Sequence, residues 1–310
     1  MIITAIGILE RNLYVTTAGI SLGGFASAFY HPMGGSALTY VYGIQAGSAM
    51  GINGAFSNLG TALYPSIMFG LLSFLSITNL GVFYSLIILS IASLIASIPL
   101  MLIKFRTPNK NYVRDRNNQF VISFPLIILT IIMLLRAIFT QGVIQFLPTM
   151  LITEYSYKFN IDLGYTLTII FAAGTLGQPT LGYLSDKFGR VILLTLSTIF
   201  SIFFFFIFIY TALPYFLIIF GLFALSNFSL ALSLAGEIAK KEGTGLANAY
   251  VWGLGNTTGS AIGPALVGLL SQYFSISFFL QILSLFAILS IFLVFAISKK
   301  EEEIKVQALH

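Results

Sequence analysis

The sequence predicts an all-α, polytopic membrane protein, a bundle of long transmembrane helices. Hydrophobic residues make up 57% of the 310 residues, charged ones only 8%, and 30 are Phe. That leaves too little polar surface to cover a water-soluble globule. The apolar residues gather into runs of about 20, long enough to cross a bilayer core as helices. These runs lack the polar alternation of outer-membrane strands. Cysteine is absent, which excludes disulfides, thiolate metal sites and cysteine nucleophiles. The net charge of +5 sits in short loops between apolar runs, where it orients a chain in a membrane and does not point to nucleic acid.

The chain opens on an apolar stub, residues 1 to 9, too short to span and broken by Glu10-Arg11-Asn12. A secretory signal needs a basic start and a small-residue cleavage site, and neither is present. The first full span covers 13 to 39, whose glycines predict close packing against a neighbouring helix. Spans follow at 48 to 75 and 80 to 104. Residues 105 to 120 hold Arg106, Lys110, Arg114 and Arg116 against one acid, Asp115, a basic linker too hydrophilic to cross. Beyond it lie six spans, at 121 to 152, 164 to 185, 190 to 211, 214 to 238, 245 to 272 and 276 to 298. A charged tail, 299 to 310, closes the chain. The expected organisation is nine full spans plus the stub, in an incomplete half, 1 to 104, and a six-helix half, 121 to 298.

With the linker inside and spans alternating, 12 of the 15 Lys and Arg fall in inside loops and the tail, while Arg11 and Lys158 fall outside. Arg136 is within a span. This asymmetry obeys the positive-inside rule and places the linker and C-terminus in the cytoplasm.

The turn between two spans at Gly182-Tyr-Leu-Ser-Asp186-Lys187-Phe-Gly189-Arg190 is the most informative stretch. Gly182 lets a neighbouring backbone come close, Asp186 ends an apolar run, and Gly189 allows the positive φ of a helix C-cap before Arg190 opens the next run. This pattern, G-x-x-x-D-[KR]-x-G-R, resembles the loop signature of the major facilitator superfamily of transporters at every fixed position. A second, local stretch, from Leu22 to Ala37 with Phe29-Tyr30-His31-Pro32, is similar to the fourth helix of fosmidomycin-resistance-type exporters, a branch of that superfamily. The resemblance implies a bundle of major facilitator type in two pseudo-symmetric halves. A weak internal repeat agrees: Gly54, Gly60, Ala62, Pro65 and Leu71 recur as Gly253, Gly259, Ala261, Pro264 and Leu270. At that offset a complete first half needs about eighty further residues before Met1, two helices and most of a third.

Arg136 is the leading substrate-contact candidate. A charge at mid-helix costs about 2.5 to 3.5 kcal/mol on insertion scales and must face a cavity or a partner, yet all ten carboxylates lie in loops, in the tail or at helix ends. An anionic solute, a carboxylate outside this sequence, or backbone carbonyls could each satisfy it. Gln141 and Gln145 stand one turn apart on one face, and the resemblance implies that this helix lines the pathway. His31 is a candidate for proton coupling, or it satisfies a backbone group freed by Pro32. Tyr30, Asn53, Trp252 and Asn256 are further substrate candidates, with helix-to-helix packing as the alternative for the amides and for Trp252.

The resemblance also implies that Asp186 lies against the cytoplasmic N-terminus of a helix from the other half, here the one beginning near Ser48. Glu237 with Arg190 would brace this latch, together with Gly182, Lys187 and Gly189. The chain shows no cluster of His and acids at metal spacing and no phosphate-binding Gly-x-x-x-x-Gly-Lys. The expectation is therefore not an enzyme but a cofactor-free secondary transporter of a small, anionic organic solute. It would sit multi-pass in the cell membrane, an exporter or exchanger coupled to protons or a counter-solute. An importer of organic acids, or a membrane fragment without transport activity, are the alternatives.

Overall fold

A computed structural model describes residues 1–26, 46–102 and 123–307; the side chains of 46–55, 100–102, 228–229, 240–245 and 295–307 lie outside the description. No strand occurs among the described residues. The helices, in order, are α1 (Ile2–Leu9), α2 (Leu13–Ala26), α3 (Ala46–Leu75), α4 (Asn79–Leu102), α5 (Phe124–Glu154), α6 (Ile161–Phe188), α7 (Arg190–Thr211), α8 (Tyr215–Ala224), α9 (Asn227–Asn248), a π-helical segment (Ala249–Asn256), α10 (Thr257–Leu270) and α11 (Ile276–Gln307). Parts of α3 and α4 and the whole of α5, α7 and the first part of α11 are each long and apolar enough to cross a membrane. Large apolar side chains such as Phe74, Leu176, Phe203 and Phe292 are exposed, as expected of a surface that meets lipid.

The chain forms two compact units, residues 1–46 with 66–119, and residues 47–65 with 120–310. In the first, the apolar stub is the short helix α1. A turn at Glu10-Arg11 folds α1 back on α2, Asn12 Oδ1 accepts from Val15 N at 3.2 Å to start α2, and α4 packs on α1. An open groove of ≈ 690 Å³ runs between Ile2, Ile3, Gly19 and Leu22 on one side and Ser93 and Ser97 of α4 on the other.

In the second unit α5 is the central strut, packed by α10, α11 and the π segment. Gly255, Gly259 and Gly263 recur every four residues and lie directly on the carbonyls of Thr130, Leu134 and Ile138, which recur at the same interval along α5. Any side chain at these three positions would meet backbone, so the glycines of the π segment and α10 dictate how close they come to α5. The repeat partners differ in their surroundings. Gly60 has nothing within 4 Å of a Cβ position, and Ala62 is buried where Ala261 is exposed.

Two apolar layers fill this unit. Leu126, Leu129, Met133, Leu193, Leu194, Leu230 and Leu234 form one. Phe139, Phe205 and Phe220 form the other, edge to face, with centroids 5.5 Å and 6.2 Å from Phe139.

Span boundaries differ from expectation at three places. The stretch 239 to 244, expected to be a turn between spans, is helical through the end of α9, since Lys and Glu are strong helix formers and polarity alone does not make a coil. The charged tail likewise continues α11 to Gln307. The run 214 to 238, expected as one helix, is broken at Leu225-Ser226.

At the opposite end of the strut, Glu154 is the last residue of α5, the wrong end of its own helix for a carboxylate. Its oxygens instead accept from the first amides of α11, Ile276 N at 2.5 Å and Ser277 N at 3.1 Å. Next to it, Tyr155 donates to the Ile209 carbonyl at 3.2 Å, and burial together with the Glu154 charge pushes its phenol above the usual tyrosine range. Glu154 therefore ties α5 to the dipole of α11. Glu154→Ala is expected to cost about 1 to 2 kcal/mol, read as a lower melting temperature of the purified protein, with Glu154→Gln losing less because an acceptor remains.

Candidate functional site

The turn that joins α6 to α7 is built as its sequence requires. Asn160 Oδ1 caps the start of α6 by accepting from Leu163 N at 3.3 Å, and the helix runs to Phe188. Gly189 follows with φ +95°, its N–H donating to the Ser185 carbonyl, and α7 begins at the next residue. That φ belongs to glycine, which is why the chain reverses here without a longer loop. Among the described residues nothing lies within 4 Å of a Cβ position at Gly182.

Arg190 is the centre of the charged groups. Its Nε pairs with Glu237 Oε1 at 3.2 Å, its Nη2 with Asp186 Oδ1 at 3.4 Å, and its Nη1 donates to the Ser233 carbonyl at 2.5 Å. Asp186 is 66% exposed, so this pair is solvent-screened and weak. The Ser233 bond, absent from the sequence reading, adds a fixed backbone acceptor to the same cation. Lys187 stands over the Tyr183 ring at 4.6 Å. Glu237 and Arg190 thus do pair, across α9 and α7. The side chain of Ser48 lies outside the described residues.

Arg136 lies between the two apolar layers and is 2% exposed. It turns to α7, where Nη2 donates to the Leu194 carbonyl, while Nε and Nη1 find no partner among the described residues. Leu194 O also accepts from Ser197 Oγ and Thr198 Oγ1, each at 2.9 Å. Ser197 Oγ in turn touches Asn227 Oδ1 at the start of α9. Immediately before Asn227 is the α8–α9 break. There Gln178 of α6 donates to the Leu225 carbonyl at 3.2 Å and Ser226 Oγ bonds back to Leu222 O at 2.5 Å. Gln178, a side chain from another helix, takes the Leu225 carbonyl where the helix breaks with neither Pro nor Gly at the break.

The other predicted contacts are scattered. Gln141 is half-buried and Gln145 exposed; at 3.6 residues per turn they point roughly 140° and 180° away from Arg136. The structure does not bring the three together. Trp252 and Asn256, both half-buried, stand at the middle and end of the π segment, where Thr257 Oγ1 bonds to the Trp252 carbonyl at 3.1 Å. Short π segments inside α-helices concentrate at functional sites. Tyr30 and His31 lie outside the described residues, as does the side chain of Asn53.

Sequence reasoning missed Ser197, Asn227, Gln178 and the helix break. A signal was present: Ser197-Thr198 with Ser201 one turn on, inside a Phe-rich run, and Ser226-Asn227 in mid-span.

The family pattern described as Major Facilitator Superfamily matches residues 1–251 and, in a second overlapping segment, 159–308. No curated protein matches the chain at a significant level. With a helical fold, several membrane-length apolar helices, the Gly189 turn and a match over most of its length, the chain belongs to the Major Facilitator Superfamily of membrane transporters.

Proposed function

We propose that this chain is a secondary active transporter that moves a small organic solute carrying an anionic group, by alternating access and in the direction of export or exchange. The observation that carries the reading is Arg136. A guanidinium buried in mid-span, with two nitrogens unpartnered among the described residues, is a standing demand for an acceptor. The local similarity of residues 22 to 37 to fosmidomycin-resistance-type exporters favours export over the import of organic acids. In this reading the chain is a multi-pass protein of the cell membrane with nine spans in two pseudo-symmetric halves, and its basic linker and C-terminus are cytoplasmic. Coupling is to protons or a counter-solute, with His31 as the titratable candidate. Gln141 and Gln145, on the opposite side of α5 from Arg136, then contact the solute at a different point of its path, as do Trp252 and Asn256.

Arg136→Gln is expected to lower anion-solute flux into proteoliposomes about 10- to 100-fold, the equivalent of a lost charge-assisted hydrogen bond, while the protein remains folded and inserted. Arg136→Lys keeps the charge but not the planar fork and retains part of the flux. A second reading, that Arg136 is structural, is favoured by its bond to the Leu194 carbonyl. Equal flux in Arg136→Gln and the parent would decide for it.

The turn at 182 to 190 is proposed as the cytoplasmic latch. Asp186 would cap the helix that begins near Ser48, with Glu237 and Arg190 bracing it, favouring the outward-open state. An exposed cap of this kind is worth about 1 kcal/mol, enough to shift a two-state population several-fold. Because the chain has no cysteine, Ser48→Cys with Asp186→Cys can be tested cleanly. A short bridging reagent is expected to join the pair, more readily without solute, and no cross-link under any condition would leave the turn a topological role only.

A further inference from the structure

Hydrogen-bond donors crowd the interior of the second unit around too few acceptors. Arg136 Nη2, Ser197 Oγ and Thr198 Oγ1 all converge on one oxygen, the Leu194 carbonyl. Arg136 Nε and Nη1 are buried with nothing to donate to among the described residues. Ser197 has a single hydroxyl proton but faces two acceptors, Leu194 O and Asn227 Oδ1. Turning the Asn227 amide over resolves that conflict: Nδ2–H donates to Ser197 Oγ, and Ser197 donates to Leu194 O. The cluster is then richer still in donors. What it lacks is a negatively charged acceptor, and in lipid no bulk water supplies one.

We propose that Arg136, Ser197 and Asn227 form one binding site for a carboxylate group, with Ser197 and Asn227 as its specificity-determining residues. This rests on the reading of Arg136 as the anion-recognising residue and adds two contacts and a ligand chemistry to it. Nε and Nη1 lie on opposite edges of the guanidinium, but Nη2 keeps a second hydrogen beside one or the other of them, and that edge offers two parallel donors to a planar carboxylate. Ser197 on α7 and Asn227 at the start of α9 touch each other beside the Leu194 carbonyl. With the ligand in place Ser197 turns its one proton from that carbonyl, which Thr198 and Arg136 still satisfy, to the carboxylate, and the second Nδ2 hydrogen of Asn227 is a further donor. Asn227 is the first residue after the Leu225-Ser226 break, so the site lies where the helix is interrupted.

The site is distinct from the charged turn at Arg190 and makes an unusual demand of one substitution. Asn227→Asp puts a carboxylate of the protein's own no more than three hydrogen-bond lengths from the guanidinium, by way of Ser197 and Leu194 O. In a ligand site that built-in anion competes with the ligand. In a merely structural cluster it satisfies the cation and changes nothing else.

The test is equilibrium binding of radiolabelled acetate, chloride and phosphate to the purified full chain in nanodiscs, for the parent, Arg136→Gln, Ser197→Ala and Asn227→Asp, with melting temperature measured alongside. Expected are saturable acetate binding, one per chain, stronger than chloride or phosphate; about tenfold weaker binding in Ser197→Ala, the loss of one hydrogen bond to a charged group; and no binding in Asn227→Asp although that variant melts higher than the parent. Loss of acetate binding in Arg136→Gln but not in Ser197→Ala or Asn227→Asp overturns the three-residue site and leaves the Arg136 reading standing. Preference for chloride overturns the carboxylate assignment. Absence of saturable acetate binding to the parent overturns the proposal outright, whereas equal transport by Arg136→Gln and the parent overturns the reading beneath it.

Discussion

Lipid offers no hydrogen-bond partners, and nearly every polar side chain in this chain is arranged around that fact. Ser85, Ser90, Thr130, Thr180 and Thr195 each donate to the carbonyl four residues earlier in their own helix. This is the cheapest way to hide a hydroxyl in a span. Against that background the exceptions stand out. Arg136, Thr175, Asn248 and Ser260 carry buried atoms with no partner among the described residues, and all four belong to the larger unit, on α5, α6, α9 and α10. Among the described residues, then, the unpartnered buried atoms lie in the larger unit.

The same constraint explains why α5 can be a strut. Ahead of Pro148 its backbone is committed to helix, so the face at Thr130, Leu134 and Ile138 can be covered by bare glycine at Gly255, Gly259 and Gly263, and two helices meet without an intervening layer of side chains. Close approach of this kind gains its energy from van der Waals contact, which the apolar effect cannot supply inside a bilayer. The phenylalanines and leucines beyond it fill what remains.

Much of this was legible in the sequence because lipid imposes so few solutions. Apolar runs of membrane length gave α7 at the boundaries expected for it, and Gly189 before Arg190 gave the turn. The family signature around that turn agrees with the family match. The ion pair of Glu237 with Arg190 was legible as charge complementarity at one end of the bundle. The direction in which Arg136 points was not. Hydropathy says that a cation is in the span, whereas its partner on α7 depends on which face α5 turns inward, and the glycines of α10 decide that. Nor was the break at Leu225-Ser226, because Ser and Asn in an apolar run also occur in intact helices and the side chain that opens the ladder, Gln178, comes from 47 residues away. The helical course of 239 to 244 shows the converse, a hydrophilic stretch whose residues favour helix.

The two attachments of α9 to α7 carry a mechanical consequence. Asn227 is joined to Ser197, and ten residues on Glu237 is joined to Arg190, with the Ser233 carbonyl held by the same arginine. A rod fastened at one point can still swivel about it; fastened at two, it can neither slide nor roll. This stretch of α9 and α7 therefore behaves as a single plate, and rearrangement of that part of the unit is channelled to the plate's edges. One edge is the joint at Leu225-Ser226 and the other lies beyond Glu237, toward the loosely wound turn that carries Trp252.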